Sequence, residues 1–252
     1  MIIGMSCTEN WHKYLMVDLY ALLSTNKVKK IYLFLETDTL ENVDKLREYF
    51  DVEIEIINYN NFFSEYIQLK ENYEVYFTKA ALIRLFFSKI IKEDKILYLD
   101  TDAIVLQDIS ELWNTDITNY YVAGVIDKGL YNCLDYLDLN GIPDDSINSG
   151  VMLMNLAKIR KGKIDDLFIK EINKKKYRYP DQDVINKVCK DKILFISNEY
   201  NSSRCTGIAD NIKIMHYVYV KDERWLERHF KKELWYDWET KYNEFLFNYK
   251  EN

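Results

Sequence analysis

Apolar residues in the first hundred positions alternate between two patterns. Short apolar runs, which are typical of buried strands, cover Ile2–Met5, Ile31–Leu35 and Ile96–Leu99, and alternating apolar and acidic residues predict another strand over Val52–Ile57. Apolar residues at helical spacing predict a helix over Trp11–Leu23. A short charged helix is predicted over Glu41–Phe50, and the long, strongly apolar segment Thr78–Ile91 predicts a buried helix. Strands that alternate with helices predict parallel pairing and a layered α/β fold, in which ligands bind beyond the carboxyl ends of the strands.

The second half of the chain is less regular. Strands are predicted over Val122–Ile126, Gly150–Leu156, Ile193–Ile196 and Ile212–Val218, and helices over Ile164–Asn173 and Gln182–Lys190. From residue 222 the pattern becomes helical and rich in aromatic side chains. We therefore expect one domain over residues 1–221 and a helical C-terminal segment over residues 222–252. That segment is expected to pack on the domain, and contact with a membrane surface is the alternative.

Composition narrows the class of protein. The 252 residues are 48% hydrophobic and 30% charged, which suits one folded domain that stays in solution. A net charge of −7 argues against a nucleic-acid-binding face. The four cysteines are scattered, no signal peptide is recognisable, and no apolar run approaches the roughly 18 residues of a membrane span. We expect a cytoplasmic protein, with peripheral contact at the inner face of a membrane as the alternative.

Asp100 and Asp102 directly follow the apolar run Ile96–Leu99 and give the strongest chemical signal. If the strand continues through them, its two-residue period places both carboxylates on one face and Thr101 on the other. Two carboxylates aimed together repel each other unless a cation lies between them, and a divalent ion is the usual one. The alternative is a strand end with two solvated aspartates.

Other polar residues interrupt apolar segments. Arg84 lies within the predicted helix Thr78–Ile91, and a buried guanidinium must meet an anion, either Asp100 in an ion pair or a ligand phosphate or sugar. His216 is either a buried core residue or, together with two carboxylates, a ligand for Mn²⁺. Asn148 could bond a sugar hydroxyl, since an amide both donates and accepts, or could belong to an ordinary turn.

A turn and a helix start complete the set of candidate residues. Gly150 permits close approach of a ligand or of another backbone. Asp181 follows Pro180 at the start of a predicted helix, where it could simply cap the helix. Capping does not explain why Gln182 and a second acid, Asp183, follow.

In chain order, four segments resemble glycosyltransferase family 8, the group of glycogenin and the lipooligosaccharide galactosyltransferases. The segments are residues 98–105 (YLDTDAIV), 147–155 (INSGVMLMN), 181–186 (DQDVIN) and 214–217 (IMHY). The resemblance covers about residues 1–225, and its strength lies in four short motifs in the expected order and spacing.

The resemblance implies a GT-A fold and a retaining transfer of a hexose, galactose or glucose, from a UDP-sugar to an acceptor hydroxyl. It implies Mn²⁺ (or Mg²⁺) as cofactor and a bacterial surface glycan such as lipopolysaccharide, which is in part lipid-linked, as acceptor. It matches the metal ligands to Asp100, Asp102 and His216, and catalytic roles to Arg84, Asp181 and Gln182. The remaining donor-site residues are Ser6, Cys7, Thr8, Asn10, Thr101, Asn148, Ser149 and Lys221.

The chain departs from the family pattern at two places. Thr8 stands where many members carry an acidic residue that contacts uracil. Many members also have a glycine followed by Lys-Pro-Trp after the metal-binding histidine, whereas residues 217–225 of this chain read YVYVKDERW. In this segment, Lys221 or Arg224 could supply the positive charge that contacts the diphosphate. Lys221 is the residue we expect.

Three other functions compete with the transferase. A haloacid-dehalogenase-type phosphatase would use Asp100 as nucleophile, but its motif normally opens a domain and here about a hundred residues precede it. A sugar nucleotidyltransferase needs a glycine-rich N-terminal loop, and no G-x-G-x-x-G or G-x-x-x-x-G-K-[ST] motif occurs. The third competitor is a non-catalytic sugar-nucleotide-binding module, from which hydrolysis of the UDP-sugar would distinguish an enzyme.

Overall fold

The computed structural model describes residues 1–60, 62, 79–218 and 229–250. The strands are β1 (Ile2–Ser6), β2 (Lys30–Leu35), β3 (Glu53–Asn58), β4 (Lys95–Leu99), β5 (Ala103–Val105), β6 (Val122–Ile126), β7 (Ile147–Asn155), β8 (Ile193–Phe195) and β9 (Ile214–His216). The α-helices are α1 (His12–Thr25), α2 (Val43–Phe50), α3 (Lys79–Leu82), α4 (Phe87–Ile90), α5 (Ser110–Asn114), α6 (Leu134–Asn140), α7 (Leu156–Gly162), α8 (Ile164–Lys174), α9 (Pro180–Cys189) and α10 (Lys232–Lys250).

Seven of these strands form one sheet in the order β3-β2-β1-β4-β7-β6-β8. The strands β3, β2, β1 and β4 pair in parallel, as the alternation of strands and helices predicts. The carboxyl ends of β1, β4 and β6 therefore meet at one edge of the sheet, and β7 begins at that edge. A separate pair, β5 and β9, runs antiparallel beside it.

The alternation that predicts parallel pairing is confined to the first half of the chain, and β7, in the second half, runs antiparallel to both β4 and β6. After β6 the chain forms the 3₁₀ helix Lys128–Cys133 and then α6, and it enters β7 without crossing to the other edge of the sheet. A connection that begins and ends at one edge can only join antiparallel strands. As a result, the first residues of β7, rather than its last, lie at the edge of the sheet where β1, β4 and β6 end.

The sheet separates two hydrophobic cores, because successive side chains of a strand point to opposite faces. Leu97 and Leu99 pack on one face with α1, while Ile96 and Tyr98 pack on the other with the segment around α3 and α4. Every residue of β1 is buried, as expected for a central strand covered on both faces.

The helix predicted over Thr78–Ile91 is wrong as a continuous element. The described part of this segment is α3, then the 3₁₀ helix Ile83–Phe86, then α4. A 3₁₀ helix turns by 120° per residue instead of 100°, so it changes which side chains share a face. Arg84 lies in this tighter segment and is buried.

The C-terminal helix α10 packs against α1. Trp235 is fully buried and its ring lies 5.6 Å from that of Tyr14, while Tyr20 stacks on Phe245 at 5.1 Å. The predicted boundary between residues 221 and 222 falls outside the described residues and stays a prediction. Within the described residues, no helix combines the length and the apolar character needed to cross a membrane.

Candidate active site

Asp100 and Asp102 lie in a turn between β4 and β5. The turn is closed by the Ala103 N–H, which donates to the Asp100 carbonyl oxygen at 3.1 Å. The two carboxylates converge, as predicted, but the reason given by the sequence pattern is wrong, because β4 ends at Leu99 and no strand alternation extends through them. Thr101 is buried at the tip of this turn.

His216 ends β9 and faces the same turn because β9 pairs with β5, with His216 opposite Ala103. Its Nε2 lies 3.2 Å from Asp102 Oδ1 and 3.8 Å from Asp100 Oδ2. Its Nδ1 lies 2.8 Å from Asn201 Oδ1. One ligand atom from each of the three residues lies within 4.8 Å of the others, which is close enough for one metal ion to contact all three.

The charges of this cluster affect one another. Burial lowers the pKa of His216, but the carboxylates of Asp102 and Asp100 outweigh burial, so the pKa is raised above its ordinary value. Asp18 of α1 is buried nearby, and neither of its carboxylate oxygens has a hydrogen-bond partner among the described residues. Burial, and secondarily Asp102, raises the pKa of Asp18 well above its ordinary value. Burial therefore favours the neutral, protonated form of the Asp18 carboxyl.

Arg84 joins this cluster to a second group of polar residues. Its Nη2 lies 2.7 Å from Asp100 Oδ1, and its Nη1 donates to the Ser149 carbonyl at 2.9 Å and lies 3.2 Å from Asp181 Oδ2. The guanidinium also stacks on the Tyr98 ring at 4.0 Å. Of the two anions expected for Arg84, the structure shows the protein carboxylate. Its Nε has no partner among the described residues, as is common where a ligand or water completes a site.

Asp100 presents one oxygen to the protein and the other to the cluster. Its Oδ1 accepts from Arg84 and from the Tyr98 hydroxyl at 2.5 Å. Its Oδ2 faces His216. The arginine and the tyrosine thus fix the carboxylate so that Oδ2 is directed to the position that a metal ion would take.

The second group joins the start of β7 to the start of α9. The Ser149 hydroxyl donates to Asp181 Oδ2 at 2.8 Å, and the Ser149 N–H donates to Gln182 Oε1 at 3.1 Å. Asn148 Nδ2 lies 3.3 Å from the same Gln182 oxygen. The sequence motifs at 147–155 and 181–186 therefore meet in space, and all four of these side chains are buried.

Two further residues fix α9 in this position. Asn186 bonds both backbone groups of Ile147, accepting from its N–H at 2.7 Å and donating to its carbonyl at 2.8 Å. Asp183 Oδ2 accepts from the Tyr136 hydroxyl at 2.6 Å and from the Tyr179 N–H at 2.9 Å. These contacts hold the first turn of the helix, which carries Asp181 and Gln182, against β7.

Gly150 has a different role from the predicted one. Its close neighbours are the side chains of His216 and Asp100, since a Cβ placed on Gly150 would lie 2.2 Å from His216 Cε1 and 2.7 Å from Asp100 Oδ2. Only a glycine leaves room for both.

The predicted nucleotide loop is at the end of β1. The Ser6 hydroxyl donates to the Ala80 carbonyl at 2.7 Å, and the Cys7 thiol is buried, so the side chains of both residues face the interior. Any contact of these two with a nucleotide would use their backbone. Thr8 is partly exposed and Asn10 is exposed, so their side chains are accessible. Lys221 lies outside the described residues, and its predicted role stays a prediction.

Sequence reasoning missed Asp127 and Asn201. Asp127 directly follows β6, and its Oδ2 accepts from Asn148 Nδ2 and from Gln182 Nε2, both at 3.1 Å. A polar residue at the carboxyl end of a strand was the signal that selected Asp100, and the same rule could have selected Asp127. Asn201, which contacts His216, ends the 3₁₀ helix Asn198–Asn201 and does not directly follow the predicted strand Ile193–Ile196, so the same rule would not have selected it.

The model of the family described as "Glycosyl transferase family 8" matches residues 2–221. The chain belongs to glycosyl transferase family 8. A putative glycosyltransferase of Haemophilus influenzae is 38% identical over 134 residues, which are 50% of this chain and 40% of that protein. The general stress protein A of Bacillus subtilis is 30% identical over 71% of this chain and 63% of its own length.

Another similar protein is the lipopolysaccharide glucosyltransferase WaaO of Escherichia coli, 28% identical over 74% of this chain and 58% of that protein. The matched part of this chain thus corresponds to 40–63% of the length of these three relatives.

A solved structure of the galactosyltransferase LgtC, in complex with donor and acceptor sugar analogues, superposes with a TM-score of 0.74. It covers 96% of each chain at 18% identity. Apo GlyE of Streptococcus pneumoniae superposes with a TM-score of 0.71, covering 99% of this chain and 63% of that one at 18% identity. At these identities the likeness concerns the fold, which is the predicted GT-A fold. The family match gives no support to the phosphatase alternative.

Proposed function

We propose that this family 8 protein is a retaining hexosyltransferase that uses a UDP-sugar and Mn²⁺. The observation that carries the proposal is the convergence of Asp100, Asp102 and His216, with ligand atoms within 4.8 Å of one another, beside the buried Arg84. The aspartates and His216 come from two separate segments of the chain and Arg84 from a third, which an accidental pair of surface aspartates would not show.

The residues fit a divalent cation. Two carboxylate oxygens and one imidazole nitrogen suit Mn²⁺, which accepts both oxygen and nitrogen ligands. The His216 Nδ1 is engaged by Asn201, so that Nε2 is the nitrogen directed to the carboxylates. When bound, the ion would supply Lewis-acid stabilisation of the negative charge on the departing diphosphate.

The residues around Gln182 fit the hexose. Asn148, Asp181 and Gln182 offer donors and acceptors, as sugar hydroxyls require, at the same sheet edge as the aspartate turn. Asp127, which bonds both Asn148 and Gln182, adds a carboxylate to this group. Along this edge the sheet order brings the loop after β1, the turn with Asp100 and Asp102, the start of β7 and the end of β6 side by side. We propose that they bind nucleoside, diphosphate, sugar and acceptor in that order.

Retention requires either a protein nucleophile or attack on the face that the leaving group departs from. Gln182 is a poor nucleophile because an amide is far less basic than a carboxylate, and both its polar atoms are engaged by Ser149 and Asp127. We therefore propose same-face attack, with Gln182 and Asp181 stabilising the oxocarbenium-like centre. Arg84 is proposed to hold the Asp100 and Asp181 carboxylates in place and to contact the donor through Nε.

The acceptor is proposed to be a hydroxyl of a bacterial surface glycan. Support comes from similar proteins, which include a lipopolysaccharide glucosyltransferase and a lipopolysaccharide 1,2-glucosyltransferase of Escherichia coli. Glucose and galactose differ at one hydroxyl, so both are candidate donor sugars.

The proposal is tested by UDP release from UDP-glucose and UDP-galactose, with Mn²⁺ and with EDTA. We expect slow hydrolysis without acceptor that depends on Mn²⁺, and an α-anomeric product by NMR. Asp102→Asn should lower the rate by roughly 10²-fold or more, as loss of a preorganised charge contact does. Asp237→Asn, at an exposed position of α10, is the matched control and should leave the rate unchanged.

Two results would contradict the proposal. Full turnover in EDTA would show that the reaction does not need a divalent metal. A β-anomeric product would show that the reaction does not retain the anomeric configuration. Tight binding of the UDP-sugar with no release of UDP would instead favour the non-catalytic module.

A further inference from the structure

A continuous chain of hydrogen bonds runs from Asp127 to the proposed metal ligand His216. Asn148 Nδ2 donates to Asp127 Oδ2 at 3.1 Å, and Asn201 Nδ2 donates to Asn148 Oδ1 at 3.0 Å. Asn201 Oδ1 then lies 2.8 Å from His216 Nδ1. The side chains of all four residues are buried, so water does not compete for these bonds.

The direction of each bond in this chain is determined by groups that cannot change roles. A carboxylate can only accept, so Asn148 must direct its NH₂ group to Asp127. The Gly150 backbone N–H can only donate, and it donates to Asn148 Oδ1 at 3.1 Å, which fixes the same orientation. Asn148 therefore presents its oxygen to Asn201, and Asn201 must direct its NH₂ group there and its oxygen to His216.

The orientation of Asn201 decides which nitrogen of His216 carries a proton. An amide oxygen beside Nδ1 requires an Nδ1–H donor, because two acceptors facing each other repel. The remaining nitrogen, Nε2, faces Asp102 and Asp100, and its lone pair is available to a cation held between these side chains. A partner on the second nitrogen sets both the tautomer and the orientation of a ligating imidazole.

We infer that Asp127 is a positioning residue for the metal site and acts on His216 through Asn148 and Asn201. The inference rests on the proposed function, in that His216 is taken as a metal ligand. It assigns Asp127 a role at a site to which it contributes no ligand atom, and it couples the sugar-side residues Asn148 and Gln182 to the cation.

The substitution Asp127→Asn replaces the carboxylate oxygen that accepts from Asn148 and Gln182 with an amide group that can donate there. The new amide oxygen should remain with the Gly129 N–H, which lies 3.0 Å from Asp127 Oδ1, so the new NH₂ group would face the NH₂ groups of Asn148 and Gln182. Turning Asn148 and Asn201 relieves this contact at the cost of the bond from the Gly150 N–H, and it presents an N–H to His216 Nδ1. The lone pair then moves to Nδ1 and Nε2 carries the proton.

The first readout is Mn²⁺ affinity without substrate, measured from the EPR signal of free Mn²⁺. Asn201→Ala removes the acceptor for His216 directly and should weaken Mn²⁺ binding by about 10- to 100-fold, the usual effect of losing such a supporting bond. Asp127→Asn should weaken it by about 10-fold or more for the same reason. Asp165→Asn, which replaces a buried carboxylate that bonds Ser88, is the control and should leave the affinity unchanged.

The double variant distinguishes the hydrogen-bond chain from a simple loss of charge. If Asp127 acts through Asn201, Asp127→Asn combined with Asn201→Ala should bind Mn²⁺ no more weakly than Asn201→Ala alone. If Asp127 acts only by its charge, the two effects should multiply, and this result would overturn the inference. Unchanged Mn²⁺ affinity in Asp127→Asn would overturn it as well.

The second readout is independent of any metal. In the metal-free protein, the ¹⁵N shift of His216 Nδ1 should be that of a protonated nitrogen in wild type and that of an unprotonated nitrogen in Asp127→Asn. If the wild-type protein fails to bind Mn²⁺, the proposed function fails, and the ¹⁵N shifts still decide the inference. The same tautomer in both proteins would refute it.

Discussion

Gly150→Ala is a small substitution with a large expected effect on the metal site. The added methyl group would lie 2.2 Å from His216 Cε1, 2.8 Å from His216 Nδ1 and 2.7 Å from Asp100 Oδ2. Ordinary contacts of a methyl carbon begin near 3.4 Å, so the imidazole must move by about 1 Å. The ring cannot move freely because Nδ1 is bonded to Asn201 and β9 is paired with β5.

Such crowding of a packed interior costs about 1–3 kcal/mol of unfolding free energy. Displacing the imidazole should in addition weaken Mn²⁺ binding by about 10- to 100-fold. Urea denaturation measures the first quantity, and EPR of free Mn²⁺ measures the second.

Gly4→Ala is the matched control for this substitution. A Cβ at Gly4 would lie 2.7 Å from Phe87 Cε2 and 2.8 Å from Ile96 Cδ1, in the same sheet but against apolar side chains only. It should cost a similar unfolding free energy and leave Mn²⁺ affinity unchanged. Equal Mn²⁺ affinity of Gly150→Ala and the wild-type protein would refute the geometry of the site.

Three further predictions concern stability and reactivity. Burial raises the pKa of Asp183 to about 6, so ionisation of this carboxyl disfavours the folded state as the pH rises from 4 through 6. The unfolding free energy of Asp183→Asn from urea denaturation should therefore rise by up to about 3 kcal/mol relative to wild type between pH 4 and pH 8. A difference that stays constant with pH would contradict this. Trp235→Ala should cost about 3–5 kcal/mol if α10 packs on α1, whereas a change under about 1 kcal/mol would favour the membrane-surface alternative. Burial raises the pKa of Cys7 to about 12, so iodoacetamide at pH 8 should leave Cys7 unmodified while the partly exposed Cys133 reacts, as peptide mass spectrometry would show.

Much of the layout could be predicted because it follows from local patterns. The apolar runs identified β1, β2, β3 and β4, and the rule for the carboxyl ends of strands directed attention to Asp100. The direction of β7 could not be predicted, because it depends on whether the 3₁₀ helix and α6 cross the sheet, and no periodicity in the sequence records that path. The 3₁₀ winding at Arg84 was equally hidden, since three or four residues carry too short a pattern.

Some residues of the candidate site could also be predicted from local sequence patterns, and others could not. His216 and Asn148 were selectable because each interrupts or borders an apolar strand. Asn201 was not, because its role depends on a side-chain contact with His216 across 15 residues of irregular chain. Gly150 was selected as a point of close approach, but only the packed structure shows that the approaching groups are the His216 ring and the Asp100 carboxylate.

The most direct test of the central claim is calorimetric titration of the protein with UDP, in Mn²⁺ and in EDTA, for wild type and for Asp102→Asn. If Asp100, Asp102 and His216 hold a cation that binds the diphosphate, wild type should bind UDP in Mn²⁺ and bind it much more weakly in EDTA. Asp102→Asn should bind UDP weakly in both. Equally tight binding of UDP by wild type in Mn²⁺ and in EDTA would contradict the account.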